Sequence, residues 1–377
     1  MIVYGEIPTD PRVRKTYDTV SQFHVNLHII AYNAIQGKSY PANAEIYALN
    51  HTTSFSSGSS LRVTDLLLFW IYTIKTLILI SSNNSIDIIH AHDFTTLLPI
   101  IPMKLRYWRV RLIYDAHELA PEAAKEFFGL PHMIISFLIE VIAYPFISAI
   151  ITVSPMQSVI IRRRYHKPVY CVRNLPNRKE LDQSSVEQGK EILDQFANID
   201  VANQVLFIYA SHISENRGFD ELIGCWKEIQ EDHPNYHLIL AGAGPYLDTI
   251  RDDINSAGNI TYVGYLDVLD YYSILRVCQI GFCLIDPLSN LNNFIGYPNK
   301  ITEYFALNKF VISTKLLNFI QEVKLGNCIM MDEFNYVTLK QTILNLNNVH
   351  TPSGQKLNST YLWEHNTSLL HEVYSLA

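Results

Sequence analysis

The sequence predicts an α/β protein built from two doubly wound parallel sheets. Short apolar segments rich in β-branched residues alternate with longer helix-patterned segments through both halves of the chain. Repeated βαβ units produce this alternation. The chain has 377 residues, 48% of them hydrophobic. That is too long for one ordinary core, so two domains are expected.

The N-terminal half opens with a strand and a capped helix. Asp10 precedes Pro11, which is the usual start of a helix, and the helix is predicted to run to Val20. The polar segment from Asn50 to Ser60 is predicted to be a surface loop. The predicted strands are MIVYG, VNLHIIAYN, IDIIHAH, VRLIYDAHE and AIITVSP.

The C-terminal half repeats the pattern after a polar stretch. Residues 173–191, RNLPNRKELDQSSVEQGKE, are charged and contain one proline, so they are the best candidate for a linker. The strands predicted beyond it are QVLFIYA, YHLILAG, NITYVG, QIGFCLI and KFVIST.

Composition narrows the class of protein. A formal net charge of −7 argues against bulk binding of nucleic acid, although it leaves room for local basic patches. The five cysteines are an odd number without CxxC spacing, which indicates reduced thiols in a cytosolic protein. The N-terminus lacks the basic and apolar regions of a signal peptide.

Two apolar stretches resemble membrane spans. LLLFWIYTIKTLILI is short and contains Lys75, and the stretch from Met133 to Val153 contains Glu140 and Pro145. The second is therefore predicted to be a buried helix followed by a buried strand. The alternative is a helix that dips into a bilayer surface.

Ligands of doubly wound sheets bind beyond the carboxyl ends of the strands. Polar residues cluster after the predicted strands, as they do in the loops of any α/β protein. The candidate residues are Asp10, Arg12, His90, His92, Asp115 to Glu118, Ser154, Asn174, His212 to Gly218, Gly242 to Pro245, and the stretch from Gly296 to Thr314.

The stretch GYPNKITEYFALN has two interpretations. Lys300 and Glu303 lie near a helix start, where free N–H groups, the helix dipole and a lysine favour an anion. Taken alone, a capped surface helix explains the stretch better. Arg217 and Gly218 start another helix, where Arg217 either meets a phosphate or is solvated. Gly242 begins GAGP, but Leu247 breaks the GxGxxG pattern, so tight turn packing explains it.

The histidines of HAHD and DAHE end consecutive strands and can face one cleft. They are either ordinary hydrogen-bonded loop residues or part of a functional site. Metal binding is rejected, because no third type of ligand lies near the HxH pair in sequence. An acidic DxD cluster that would hold Mg²⁺ on a diphosphate is also missing.

Two basic clusters lie in the N-terminal half. KLRYWRVR interleaves four cations with Tyr107 and Trp108, and IRRRYHK follows near residue 161. Solvated loops and contact with anionic lipid or a phosphorylated acceptor both explain them, and the nearby apolar stretch favours contact.

In this order, the motifs resemble the retaining glycosyltransferases of family 4, which have the two-domain GT-B architecture. The resemblance covers nearly the whole chain. The motifs that carry it are DPRVRK, IIHAHD, LIYDAHELAPE, ITVSP, VRNLPN, SENRGFDELI, LAGAGP, ITYVGYL and PNKITEYFALNKFVIST.

The resemblance implies a fold and a domain division. Two Rossmann-like domains would face a central cleft, residues 1–177 on the acceptor side and 178–357 on the nucleotide-sugar side. A C-terminal helix, 358–377, which contains Trp363 and Glu364, would complete the first domain. The nucleotide sugar would bind without a metal or other cofactor.

The resemblance also implies roles for individual residues. Glu303 would bind the ribose, and Arg217 and Lys300 would stabilise the diphosphate. His92 would contact the transferred sugar. The amides of Gly296 and Tyr297 would cradle the diphosphate. The other donor-binding residues would be Asn299, His212, Gly218 and Gly242.

Two positions depart from the family pattern. Ile295 stands where the family usually has the first of two glutamates, so it cannot hydrogen-bond the donor sugar. His212 stands where an arginine is usual, which leaves more of the diphosphate charge to Lys300.

The implied function is transfer of a sugar from a nucleoside-diphosphate sugar to an acceptor hydroxyl. The apolar and basic N-terminal features favour a lipid-linked saccharide of bacterial surface polysaccharide as acceptor. The protein would then be cytoplasmic, with peripheral contact to the inner face of the cell membrane, and would bind no nucleic acid. Two alternatives stay open: a nucleotide-sugar epimerase on the same fold, and a non-catalytic glycosyltransferase-like subunit.

Overall fold

The structure is a computed structural model that describes residues 1–7, 10–34, 40–50, 63–196, 199–286, 291–346 and 356–376. The predicted surface loop from Asn50 to Ser60 lies outside these ranges, apart from Asn50. The chain divides into two compact units. Unit 1 comprises Met1–Asn174 and Asn366–Ala377, and unit 2 comprises Leu175–His365.

Unit 1 contains a parallel sheet with helices between its strands. The strands are β1 Ile2–Ile7, β2 Leu27–Ala34, β3 Ala44–Ala48, β4 Ile88–His92, β5 Arg111–Ala116, β6 Ile147–Thr152 and β7 Val169–Cys171. The helices are α1 Pro11–Val20, α2 Val63–Asn83, α3 Ile101–Arg106, α4 Ala120–Phe128, α5 Leu130–Ala143 and α6 Pro155–Tyr165.

Unit 2 repeats this architecture. Its strands are β8 Val205–Ala210, β9 Tyr236–Ala241, β10 Ile260–Tyr262, β11 Ile280–Cys283, β12 Phe310–Thr314 and β13 Cys328–Met331. Its helices are α7 Arg178–Gln183, α8 Val186–Asp194, α9 Phe219–Asp232, α10 Leu247–Ser256, α11 Val268–Val277, α12 Leu291–Phe294, α13 Asn299–Ala306, α14 Ile320–Lys324 and α15 Tyr336–Leu344. The last helix, α16 Thr367–Leu376, belongs to unit 1.

The strand order gives each sheet a point where the chain reverses its direction of winding. The orders are β3-β2-β1-β4-β5-β6-β7 and β10-β9-β8-β11-β12-β13, and the strand pairs are parallel. The switch points lie between β1 and β4 and between β8 and β11. Loops after these strands diverge and leave a crevice, which is where α/β sheets bind ligands.

Sequence explains how the first helix begins. Asp10 is the N-cap of α1, and its carboxylate accepts hydrogen bonds from the N–H groups of Arg12 (2.8 Å) and Val13 (3.2 Å). Pro11 occupies the first position, where no donor is needed. The predicted helix start is confirmed.

The core of unit 2 forms between its sheet and its helices. Phe207 of β8 stacks on Phe282 of β11 at 5.7 Å between ring centroids, and Trp226 of α9 meets the edge of Phe207 at 5.0 Å. All three are buried. Strands that face helices on both sides are apolar along their whole length, so the sequence shows them clearly.

Three strands were not predicted from the sequence, because they are not long apolar segments. None of the residues of β3 is fully buried, β7 has only three residues, and β13 consists of Cys-Ile-Met-Met. The stretch predicted to be a linker is largely helical: it contains α7 and the start of α8. Arg276 of α11 anchors it by donating hydrogen bonds to Ser184 Oγ (2.8 Å) and the Leu181 carbonyl (2.7 Å).

The helix before β6 was predicted to be buried, and this prediction is wrong. The strand is buried, but α5 exposes most of its apolar residues, which are Leu130, Ile134, Ile135, Phe137, Leu138, Val141 and Ile142. Its buried face includes the polar residues Ser136 and Glu140. Glu140 accepts hydrogen bonds from the hydroxyls of Tyr114 (2.8 Å) and Tyr165. An all-apolar run does not reveal which face meets the core.

Within the described ranges, one helix has the length and composition needed to cross a bilayer. It is α2, over Thr64–Asn83, and the core helix of a soluble protein passes the same test. The helix packs into unit 1 through buried Phe69, Leu77 and Ile80.

Candidate functional site

The loop after β8 brings Arg217 to the switch point of unit 2. A short 3₁₀ turn, Glu215–Arg217, precedes α9, and Tyr209 donates a hydrogen bond to the Arg217 carbonyl at 2.5 Å. Gly218 follows with φ of 68°, and a Cβ there would lie 2.4 Å from Phe334 Cζ. Glycine is therefore required for both conformation and space. His212, in the same loop, is exposed.

Gly242 holds the neighbouring loop close. It has φ of 133°, and a Cβ would lie 1.9 Å from the Ser211 carbonyl oxygen. The Ser211 N–H donates to the Ala241 carbonyl at 3.0 Å. This glycine packs two loops together, as the sequence predicted for the GAGP turn.

Lys300 reaches the same switch point from α13. Its Nζ lies 4.8 Å from the centroid of the Tyr209 ring, a cation–π contact. The residue is partly exposed overall, but its Nζ is buried and has no hydrogen-bond partner among the described residues. Burial lowers the pKa of Lys300 to about 8, and the charge of Arg217 acts in the same direction.

Glu303, one turn further along α13, is held by two tyrosines of α11. Tyr271 donates to Oε2 at 3.0 Å, and the Tyr272 hydroxyl lies 3.5 Å from Oε1. The tyrosines fix the position of the carboxylate. Burial, followed by the charge of Glu303, raises the pKa of Tyr271 well above its usual value, so its hydroxyl remains a donor.

The turn before α13 is braced by its own backbone. The Gly296 N–H donates to the Asn293 carbonyl at 3.1 Å, so this amide is already bonded in the structure. Asn318 donates to the carbonyls of Ile295 (2.6 Å) and Gly296 (3.0 Å). Tyr297 stacks on Phe319 at 4.6 Å between ring centroids.

Ile295 and Asn299 lie on either side of this turn. Ile295 is 4% exposed and packs as a core residue, which explains why an apolar side chain is tolerated there. Asn299 is the first residue of α13 and is exposed.

Unit 1 carries a second polar cluster at its own switch point. Arg12, at the start of α1, donates to Asp115 Oδ1 at 2.7 Å and to the Val172 carbonyl at 2.7 Å. Arg12 and Asp115 are both buried. Burial alone would raise the pKa of Asp115, but the charge of Arg12 and the neighbouring histidines hold it well below its usual range.

His92 ends β4 beside this ion pair. Its Nδ1 lies 3.2 Å from His117 Nε2 and 3.4 Å from Asp115 Oδ2, and its Nε2 has no partner among the described residues. Burial, the largest cause, puts the pKa of His92 well below its ordinary value. A neutral imidazole can donate or accept a hydrogen bond without adding charge.

The family comparison bears on unit 2. Residues 203–347 match the family model described as Glycosyl transferases group 1. This match covers most of unit 2. The matched residues include the loops of Arg217 and Gly242 and the whole of α13.

Two curated relatives agree with this match. The chain is 23% identical over 205 residues to the glycosyltransferase YqgM of Bacillus subtilis, covering 54% of this chain and 53% of that protein. It is 24% identical over 199 residues to the glycosyltransferase MJ1059 of Methanocaldococcus jannaschii, covering 51% and 46%. The alignments thus span about half the length of each relative.

Solved structures share the whole fold. Sucrose-phosphate synthase from Thermosynechococcus elongatus superposes with a TM-score of 0.71 at 12% identity, covering 99% of this chain and 94% of that one. Anabaena HepE, solved with UDP and glucose, gives a TM-score of 0.67 at 14% identity, covering 99% and 98%. The predicted GT-B fold is confirmed, and so is the resemblance to GT-B glycosyltransferases. Membership of family 4 stays a prediction.

Unit 2 brings several of the sequence-predicted residues together. Arg217 and Lys300 interact electrostatically, and Glu303 lies close enough to affect the Lys300 pKa. His92 belongs to unit 1 and is described there alone. Sequence analysis missed Tyr271, Tyr272 and Tyr209. The adjacent tyrosines of LDYYSIL look like ordinary amphipathic helix residues, and nothing in the sequence links them to Glu303.

Proposed function

We propose that the chain transfers a sugar from a nucleoside-diphosphate sugar to an acceptor hydroxyl, with retention of anomeric configuration. The observation that carries the proposal is the ammonium group of Lys300, which is buried at the switch point of unit 2 without a hydrogen-bond partner among the described residues. A buried cation without a partner is costly. An anion bound beside it would supply the missing partner.

The diphosphate of the donor fits this environment. Arg217 and Lys300 are cations that influence each other, and α13 begins at Asn299 without a side-chain cap. Its first N–H groups and its dipole therefore favour an anion. As the diphosphate leaves, the same groups would stabilise its growing charge, and they would do so without a metal ion on the diphosphate.

Glu303 is proposed to bind the ribose. A carboxylate has about four acceptor sites and can accept hydrogen bonds from both hydroxyls of a vicinal diol. Because Tyr271 and Tyr272 hold the carboxylate, it would meet the ribose already oriented. Anabaena HepE, which shares this fold and was solved with UDP and glucose, supports a nucleotide partner of this kind.

His92 is proposed to contact the transferred sugar. Its low pKa keeps it neutral, and its Nε2 lacks a partner among the described residues of unit 1. A sugar hydroxyl is a suitable partner for a neutral imidazole, since either can donate.

The acceptor is proposed to be a lipid-linked saccharide at the cytoplasmic face of the membrane, in surface-polysaccharide assembly. Helix α5 supports this, because its apolar residues face solvent while Glu140 is buried. Trp108 of the KLRYWRVR cluster is 72% exposed, and Arg109 lies over its ring at 5.1 Å. Exposed apolar residues with flanking cations suit an anionic bilayer surface.

Release of nucleotide from a panel of nucleotide sugars tests the activity. We expect one sugar nucleotide to release its nucleoside diphosphate slowly with water and faster with a lipid-linked acceptor. Product carrying the anomeric configuration of the donor would support retention. No release from any sugar nucleotide would contradict transfer. That result would favour the non-catalytic subunit, which the apolar side chain of Ile295 supports. Conversion of the sugar without acceptor would favour the epimerase.

A further inference from the structure

We propose that His90, His92, His117 and Asp115 bind a divalent cation of the zinc class in unit 1. The four residues come from the carboxyl ends of β4 and β5 and the loop that follows β5. Parallel pairing sets His90 beside Ile113 and His92 beside Asp115, so the two histidines and the aspartate share one face of the sheet.

Asp115 Oδ2 and the imidazole nitrogens next to it are spaced closely enough to surround one ion. Tetrahedral ligands about 2.0–2.2 Å from a zinc ion lie about 3.3–3.6 Å from one another. Asp115 Oδ2 lies 3.4 Å from His92 Nδ1, 3.6 Å from His90 Nε2 and 3.8 Å from His117 Nε2. His92 Nδ1 lies 3.2 Å from His117 Nε2. Ligand atoms of His90, His92 and Asp115 all fall within 4.8 Å of one another.

Hydrogen bonding alone does not satisfy this cluster. Among the described residues, His90 Nε2, His92 Nε2 and Asp115 Oδ2 are buried without a hydrogen-bond partner. Three imidazole nitrogens lie 3.4–3.8 Å from this one carboxylate oxygen. A buried polar atom without a partner destabilises the fold. A cation between them would engage His90 Nε2 and Asp115 Oδ2 together.

The outer contacts are those that metal-bound histidines make. His90 Nδ1 lies 2.7 Å from the Tyr374 hydroxyl, and His117 Nδ1 lies 3.4 Å from Asp93 Oδ2. A partner on one ring nitrogen fixes the tautomer and leaves the other nitrogen free to ligate. Arg12 binds Asp115 through Oδ1 and leaves Oδ2 facing the histidines.

The charge around the cluster also accommodates a divalent ion. Asp115, Asp93 and Asp10 contribute three carboxylates within 3.8 Å of the histidines, and Arg12 contributes one cation. With neutral imidazoles, two negative charges remain, which one divalent cation balances. Three nitrogen ligands and one oxygen suit zinc better than magnesium or calcium.

This inference differs from the expectation drawn from sequence. Metal binding was rejected because the HxH pair had no third ligand nearby, but the fold brings Asp115 and His117 to it. A cation on His92 Nδ1 would leave the proton on Nε2, which could then donate to a sugar hydroxyl. Only this last step rests on the proposed function; the metal site does not.

Elemental analysis and cobalt titration test the site. We expect full-length protein, purified without chelator and freed of any histidine tag, to hold one equivalent of zinc. After removal of zinc, cobalt(II) should bind and give the visible absorption of tetrahedral cobalt. His90→Ala and His117→Ala should each weaken cobalt binding about tenfold or more. His237→Ala is the matched control, since His237 is buried in unit 2 against Thr261 at 2.8 Å.

Two results would overturn the proposal. One is wild-type protein that binds neither zinc nor cobalt. The other is cobalt binding of equal strength in His90→Ala, His117→Ala and the control. The His117 side chain is 17% exposed, so we expect His117→Ala to disturb the core less than His90→Ala does. Thermal unfolding of each variant shows whether it is folded. If a nucleotide still raises the Tm of protein without metal, the donor site stands independently of the metal site.

Discussion

At the scale of single residues, Lys300 carries the clearest signature of a ligand site. Its pKa of about 8 lies below that of an ordinary lysine, because its Nζ is buried. Lys309, in the same unit, also has a pKa lowered to about 8 by burial, but it donates a hydrogen bond to the Arg276 carbonyl at 2.8 Å. Among the described residues, the two lysines therefore compare a buried ammonium group without a hydrogen-bond partner with one that has a partner.

Nucleoside-diphosphate affinity is expected to fall as pH rises above about 8. Below that pH the free protein already carries the charge on Lys300, whereas above it binding must take up a proton. The fall should approach tenfold per pH unit beyond the pKa. Calorimetric titration between pH 6.5 and 9.5 measures it. Lys300→Met should remove the pH dependence, and Lys309→Met should keep it. Persistence of the slope in Lys300→Met would assign it to another group.

Lys300→Met is also expected to stabilise the ligand-free protein. The folded pKa lies below the unfolded one, so the charged lysine is a net cost below pH 8, and stability rises as pH increases from about 8 to 10. Allowing for the partly exposed stem, the gain at pH 7 should be on the order of 1–2 kcal/mol. Denaturant unfolding measures it. Destabilisation would show that Lys300 has a structural partner.

Glu303→Ala is expected to weaken donor binding by about 10–100-fold, since hydrogen bonds to a charged group contribute about 1.5–3 kcal/mol. Tyr271→Phe keeps the carboxylate and removes one donor to it, so its effect should be smaller. Affinities of wild-type protein and Glu303→Ala are measured for the nucleotide and for the matching free base, which lacks the ribose. The loss of affinity should be larger for the nucleotide. Equal loss for both ligands would argue against a ribose contact.

Single candidate residues could be predicted from the sequence, but the contacts between them could not. Sequence analysis marked Arg12, His92, Asp115 and Glu303 as candidates, because each follows an apolar strand or opens a helix. It could not show that Arg12 and Asp115, 103 positions apart, form an ion pair. Contacts of this kind depend on strand order. Once the order places β1 beside β4 and β4 beside β5, they follow from the pattern of the sheet.

At the scale of elements, α5 is the informative case. The sequence pattern does not show which face of α5 is exposed, because nearly every residue of LPHMIISFLIEVIA is apolar. The position of Glu140, buried against Tyr114, determines which side faces inward. Long apolar strands such as β8 and β9 were predictable from sequence because both of their faces are buried. Edge strands such as β3 were not.

Substitution on the exposed face of α5 is expected to reduce membrane binding without unfolding the protein. Ile135→Ser with Leu138→Ser should lower co-sedimentation with vesicles containing anionic lipid about tenfold or more, since apolar area leaves the bilayer. The Tm should change little, as both side chains face solvent. Val337→Ser with Leu325→Ser, at exposed apolar positions of unit 2, is the control. Equal loss in both pairs would remove α5 as the contact surface.

At the scale of the whole molecule, the two units were visible in the sequence because βα alternation runs through both halves. That alternation predicts two doubly wound sheets, and the family resemblance implies the GT-B fold, which solved structures at 12–14% identity confirm. The return of α16 to unit 1 has no local signal. Its apolar pattern fits any amphipathic helix, and only the fold shows that Tyr374 pairs with His90.

Thermal unfolding with UDP, GDP, ADP, CMP and NAD, without added metal, tests for a donor site in unit 2. A ligand that binds only the folded state stabilises it by about 2.7 kcal/mol at a hundredfold excess over its Kd. We predict that one nucleoside diphosphate raises the Tm of the wild-type protein and that Arg217→Ala loses most of this rise. Absence of a shift with all three diphosphates, or an equal shift in Arg217→Ala, would contradict a donor site at the switch point of unit 2.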